Sequence, residues 1–141
     1  LYGPVATIFL LARSRLHRHK SLAAQPLKVV DDQVGCPTST AGLAAACWRL
    51  VERQLGGVMH WSDAGAASWY DFAVAIGELA EMSGHLEHAA TVLPISSADY
   101  PTPAQRPAYS LLDCISSREL MGLMPKHWRQ ALREVIADVG S

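Results

Sequence analysis

A chain of 141 residues can close one domain around its own core, and at 50% apolar and 18% charged residues this one is apolar for its size, as expected if some of that surface packs on polypeptide outside the chain. A net charge of −1 leaves no basic surface of the kind nucleic acid selects. Cys36, Cys47 and Cys114 are an odd, widely spaced set that fits neither a disulfide framework nor a zinc-ligand pattern, so buried or free thiols in a reducing cytosol are expected. The apolar run from Val5 to Ala12 is too short to span a bilayer. The basic cluster Arg13, Arg15, Arg18 and Lys20 follows that run, whereas a secretory signal places its basic residues first.

Residues 27–34 read as a strand ending in the acids Asp31 and Asp32 and the amide Gln33. Gly35-Cys36-Pro37 turns the chain, and Thr38, Ser39 or Thr40 caps a helix predicted to run to about Leu55. Leu43, Cys47, Leu50 and Val51 share one face of it, and Gly56-Gly57 is the predicted stop. Val58 to Ser62 reads as a short strand containing His60, expected to be a structural histidine. Ser68 with Asp71 three residues on predicts a capping box for a helix to about Met82. Its predicted buried stripe is Phe72, Ile76, Leu79 and Ala80. Trp69 and Tyr70 open that helix; packing of the helix start is the expectation, and stacking on a base or sugar is the alternative. His85 and His88 read as a solvated helix end, since no third ligand converges on them, and no metal site is expected.

Ala90 to Ile95 is a predicted strand. Ser116 and Glu119 predict a second capping box, for a short helix ending at Gly122. A final helix starts near Lys126, with Trp128, Leu132, Val135, Ile136 and Val139 on its apolar face. Strands alternating with helices argue for an α/β fold.

The segment Tyr100-Pro-Thr-Pro-Ala-Gln-Arg-Pro-Ala-Tyr-Ser-Leu-Leu-Asp113 carries the sharpest chemistry. Pro101, Pro103 and Pro107 fix φ and remove backbone donors, which excludes helix and central strand and leaves a stiff extended loop. The loop displays Arg106 between the phenols Tyr100 and Tyr109. A guanidinium presents a planar fork of donors suited to a diphosphate or carboxylate. An ordinary surface ion pair is the bland alternative.

This segment resembles the Tyr-Pro-Thr-Pro-Ala-x-Arg-Pro-x-Tyr-Ser-x-Leu-Asp signature of the dTDP-4-dehydrorhamnose reductases, members of the extended short-chain dehydrogenase/reductase superfamily. Three further stretches resemble the same family in order and spacing: Val29 to Thr38, Gly57 to Ala73, and His127 to Leu132. The resemblance implies the end of a Rossmann-type parallel sheet followed by a small substrate-binding α/β lobe, with residues 1–83 belonging to the first and 84–141 to the second. It implies a dTDP-sugar nucleotide held by Gln33, Pro37, Thr38, Tyr100, Arg106 and Tyr109. It also implies NADPH or NADH as cofactor, touched here by Tyr2 and Gly3 and bound mainly by an N-terminal half. That half, and a possible homodimer of the whole enzyme, are the implied protein partners. Some family members use magnesium at a dimer interface through glutamates; no matching acidic cluster occurs in this sequence.

The family's Gly-rich turn and Tyr-x-x-x-Lys pair do not occur in this sequence either. The chain therefore reads as the C-terminal half of a reductase, inactive alone and without catalytic residues of its own. Residues 4–26 depart from the family pattern. A reading-frame slip is one explanation, because codons of the form GTG-GCA-ACA-ATC for Val5 to Ile8 hide Gly-Asn-Asn two bases on; divergence is the other. Two further readings stay open: a non-catalytic homologue resembling the methionine adenosyltransferase regulatory subunit, and another extended-family epimerase or dehydratase.

Overall fold

A computed structural model describes residues 26–138. Leu27–Val30 form strand β1, which pairs in parallel with β4, Val92–Ile95, in the register Leu27 to Val92 through Val30 to Ile95. The bonds from Leu27 N–H to the Thr91 carbonyl and from Asp31 N–H to the Ile95 carbonyl run through odd-numbered residues of the partner. Pro94, which has no N–H, therefore faces away from the ladder, where a proline costs no bond.

The predicted strand 27–34 is broken in two. The Asp32 carboxylate accepts from Ser97 N–H (2.9 Å) and from its hydroxyl (2.6 Å), which bends the chain after β1. Val34–Gly35, strand β2, then pairs antiparallel with β3, Ala67–Ser68.

Helix α1, Thr40–Glu52, has Ser39 as its N-cap, with the Ser39 hydroxyl accepting from Gly42 N–H. It stops three residues before the predicted end. Gln54 takes the left-handed conformation (φ 51°), and the bonds Gln54 N–H to Val51 carbonyl and Leu55 N–H to Leu50 carbonyl close the helix there. Leu43, Cys47 and Val51 lie exposed, while Ala46 is the residue of α1 that is buried.

No strand forms over Val58 to Ser62. Side chains hold this segment instead of a ladder: His60 N–H donates to the Ser117 hydroxyl, and the Ser62 and Asp63 carbonyls accept from Arg118. His60 itself is exposed.

Helix α2, Trp69–Met82, is the hub of the described fold, contacting β1, β3, β4 and the last helix. Its capping box is formed by Ser68 and Asp71, and Phe72, Ile76, Leu79 and Ala80 are all buried. A 3₁₀ turn, Ser97–Asp99, follows β4. Helix α3, Ile115–Met121, starts one residue before the predicted Ser116 cap: Cys114 is its N-cap, and Asp113 Oδ1 accepts from Ile115 N–H. Ser117 is thereby turned inward toward His60, and Gly122 (φ 58°) ends the helix as predicted. Helix α4, Trp128–Asp138, buries Trp128, Leu132 and Ile136 with Val135 half-buried; Val139 lies outside the described residues. Phe72 meets Trp128 edge-on, with centroids 6.0 Å apart. One core runs from Ala67 and Phe72 through Leu79 and Leu86 to Ile136, so residues on both sides of position 84 build it.

Candidate functional site

Val34 is the residue around which the site assembles. On one side it pairs with Ser68 of β3. On the other, its N–H donates to the Ala108 carbonyl (2.8 Å) and its carbonyl accepts from Ser110 N–H (2.9 Å). Three remote segments, 33–38, 67–72 and 106–110, are drawn together in this way. Small residues permit the approach: a Cβ on Gly35 would stand 3.0 Å from Ser110 Oγ.

The result is a cleft of about 480 Å³ whose wall includes Gln33, Pro37, Thr38, Trp69, Arg106 and Pro107. Four of the residues expected at a ligand site, Gln33, Pro37, Thr38 and Arg106, thus share one wall. Tyr100 and Tyr109 are 61% and 69% exposed and lie outside it. Tyr2 and Gly3 lie outside the described residues, as do residues 4–25 of the segment whose reading frame is in question.

Much of the polar lining is already engaged. Gln33 Nε2 donates to Ser97 Oγ (2.8 Å), which in turn donates to Asp32. Those bonds from Ser97 hold the Asp32 carboxyl below its ordinary pKa. Thr38 Oγ1 donates to the Cys36 carbonyl and accepts from Asp63 N–H. Ser68 is spent in its capping box, and Ser110 Oγ donates to the Val34 carbonyl. Arg106 differs: it is exposed and makes no ion pair with any described residue. Cys36 also lies in the wall. Burial, and then the Asp63 carboxylate, push its thiol above the ordinary value, and the thiol donates to the Asp63 carbonyl (3.0 Å).

Trp69 is the lining residue that sequence reasoning assigned to packing. It is 44% exposed in the cleft wall, while Phe72, one turn on, takes the buried place. The signal was its position: the first residue of a helix sits at the rim of the face that the stripe buries. His85 Nε2 lies 3.0 Å from the Ile136 carbonyl, and His88 stands 3.9 Å from Glu81 at the surface. Among the described residues no group of three or more His, Cys, Asp or Glu is placed to hold a metal, and no helix is long and apolar enough to cross a membrane.

A dinucleotide's phosphates need free backbone N–H groups, commonly at a helix start. Here the Asp63 carboxylate takes Ser39 N–H at the head of α1 (2.8 Å), and the capping box takes Ser68 and Asp71 N–H at the head of α2. The described residues fit a ligand gripped by a cation and an apolar wall, with these three N–H groups already taken.

The chain is similar to known proteins. The dTDP-4-dehydrorhamnose reductase of Aggregatibacter actinomycetemcomitans is 33% identical over 142 aligned residues, covering 96% of this chain and 47% of that protein. The crystal structure of a dTDP-4-dehydrorhamnose reductase from Clostridium acetobutylicum, 32% identical, matches 100% of this chain and 45% of its own with a TM-score of 0.83. The Bacillus anthracis dTDP-4-dehydrorhamnose reductase, solved in complex with NADP, is 28% identical with a TM-score of 0.80, over 98% of this chain and 44% of its own. The chain spans less than half the length of these relatives. The family described as the RmlD substrate binding domain matches residues 13–141, and this α/β chain belongs to it.

Proposed function

We propose that this chain is the sugar-nucleotide-binding part of a cytoplasmic dTDP-4-dehydrorhamnose reductase, which reduces dTDP-4-dehydro-L-rhamnose to dTDP-L-rhamnose with NADPH or NADH. The observation that carries the reading is the convergence of Gln33, Pro37, Thr38 and Arg106 on one cleft in a chain of this family. When bound, the nicotinamide supplies hydride to the sugar's C4. This chain's residues do the holding. Arg106 binds the diphosphate, the turn 33–38 shapes one wall, and Tyr100 and Tyr109 contribute from the loop flanks. Residues 1–83 continue the dinucleotide half and residues 84–141 the substrate lobe, the two sharing one core among the described residues, and the N-terminal half of the same protein is the chief partner, with a homodimer of the whole enzyme as the assembly.

The test is turnover of dTDP-4-dehydro-L-rhamnose, followed by loss of reduced nicotinamide absorbance, in the whole parent protein and in the 141-residue chain. Turnover is expected from the whole protein and none from the chain alone. A whole protein inert on 4-keto sugar nucleotides, but binding a methionine adenosyltransferase catalytic subunit, would move the assignment to the regulatory class.

A further inference from the structure

Trp69 and Phe72 stand one turn apart on α2, yet their surroundings differ. Phe72 is 6% exposed against Trp128, whereas Trp69 keeps 44% of its surface open in the cleft wall. The backbone beside Trp69 is fixed. Ser68 N–H donates to Asp71 Oδ2 (2.8 Å) and Asp71 N–H donates to Ser68 Oγ (3.0 Å), so the indole is presented by a rigid helix start, not by a loop. Pro37 and Pro107 in the same wall are apolar and cannot donate from their backbone nitrogens. Arg106, also in that wall, has no ion pair among the described residues.

A flat aromatic surface and an unpaired guanidinium in one cleft fit a ligand with a flat ring at one end and phosphate at the other. We infer that Trp69 is the stacking platform for the base of a nucleoside diphosphate whose phosphates Arg106 holds. The inference rests on the cleft being the nucleotide site and adds which part of the nucleotide each residue reads. Stacking is indifferent to base hydrogen-bonding pattern, so Trp69 selects for a planar base without choosing strongly among bases.

The experiment uses the whole parent protein and two probes, dTDP and inorganic pyrophosphate, each titrated by calorimetry. Trp69→Leu is expected to weaken dTDP about 5- to 150-fold and leave pyrophosphate unchanged. Trp69→Phe, which keeps a ring, is expected to retain most of the dTDP affinity and serves as the folding control. Arg106→Ala is expected to weaken both probes. Trp69→Leu with unaltered dTDP affinity, or with dTDP and pyrophosphate weakened equally, would overturn the stacking role while leaving the cleft assignment standing. A wild-type protein that binds neither probe would overturn the cleft assignment itself.

Discussion

Arg106→Ala isolates the ligand contribution of one side chain because the structure gives that side chain little else to do. Arg106 is exposed and unpaired among the described residues, and the turn preceding it is held by the Thr102 hydroxyl donating to the Ala104 carbonyl (2.8 Å). Truncation therefore removes no described internal bond. A charge-assisted hydrogen bond contributes about 1.5–3 kcal/mol. Arg106 is open to solvent, so water competes for the same donors and the lower end applies: about 1.5 kcal/mol, or roughly a tenfold loss. The diphosphate does not react. Its grip is equal in the ground and transition states, so KM should rise about tenfold with kcat nearly constant. Steady-state kinetics of the whole enzyme over a range of sugar-nucleotide concentrations reads both constants. The effect should shrink as salt is raised. An unchanged KM, or a fall in kcat alone, would place Arg106 outside the binding site.

Gly65 has φ +97°, and a Cβ there would stand 2.6 Å from His127 Nε2 and 2.9 Å from Trp128 Cδ1. Gly65→Ala in the whole protein should cost about 2–4 kcal/mol from backbone strain and overpacking together, read as a lower thermal midpoint. Adding His127→Ala should restore only part, because Trp128 is buried and cannot yield; full restoration would refute the strain argument. Asp32, depressed by its bonds from Ser97, should contribute stability that is complete above the ordinary aspartate pKa and is lost as pH falls through its lowered value. The difference in unfolding midpoint between wild type and Asp32→Asn should accordingly be flat near neutrality and shrink in acid; a difference that grows in acid reverses the sign and sinks the account. Alone, the 141-residue chain should self-associate through α1, where Leu43, Trp48 and Val51 are 46%, 68% and 66% exposed. Light scattering should show less association for Trp48→Lys, and a monodisperse wild-type chain with one sharp unfolding transition would contradict this.

Local signals were legible wherever one short segment decides its own structure. Ser68 and Asp71 are three residues apart, so the cap of α2 could be read directly, and the 3.6-residue spacing of Phe72, Ile76, Leu79 and Ala80 fixed the buried face. The break after Val30 was not legible, because it is made by Ser97, 65 residues from Asp32. The strand expected at 58–62 failed for the same reason: β-prone residues need a neighbouring strand, and Ser117 and Arg118 claim the backbone first. The end of α1 was misplaced because Gln54 adopts the left-handed conformation that a sequence reader assigns to glycine.

The cleft shows what such long-range pairing does to site residues. Gln33 and Thr38 were read from sequence as ligand contacts, yet the Gln33 amide is bonded to Ser97 and the Thr38 hydroxyl to Cys36 and Asp63, while Ser68 serves its capping box and Ser110 bonds the Val34 carbonyl. These bonds fix where Pro37, Trp69 and Pro107 stand. In the proposed function, recognition then falls to shape, to the apolar wall and to the charge of Arg106. A site built this way separates its two tasks physically. Substitution of the internally bonded residues should act through the geometry of the wall, whereas substitution of Arg106 or Trp69 should act on the ligand and leave the wall in place.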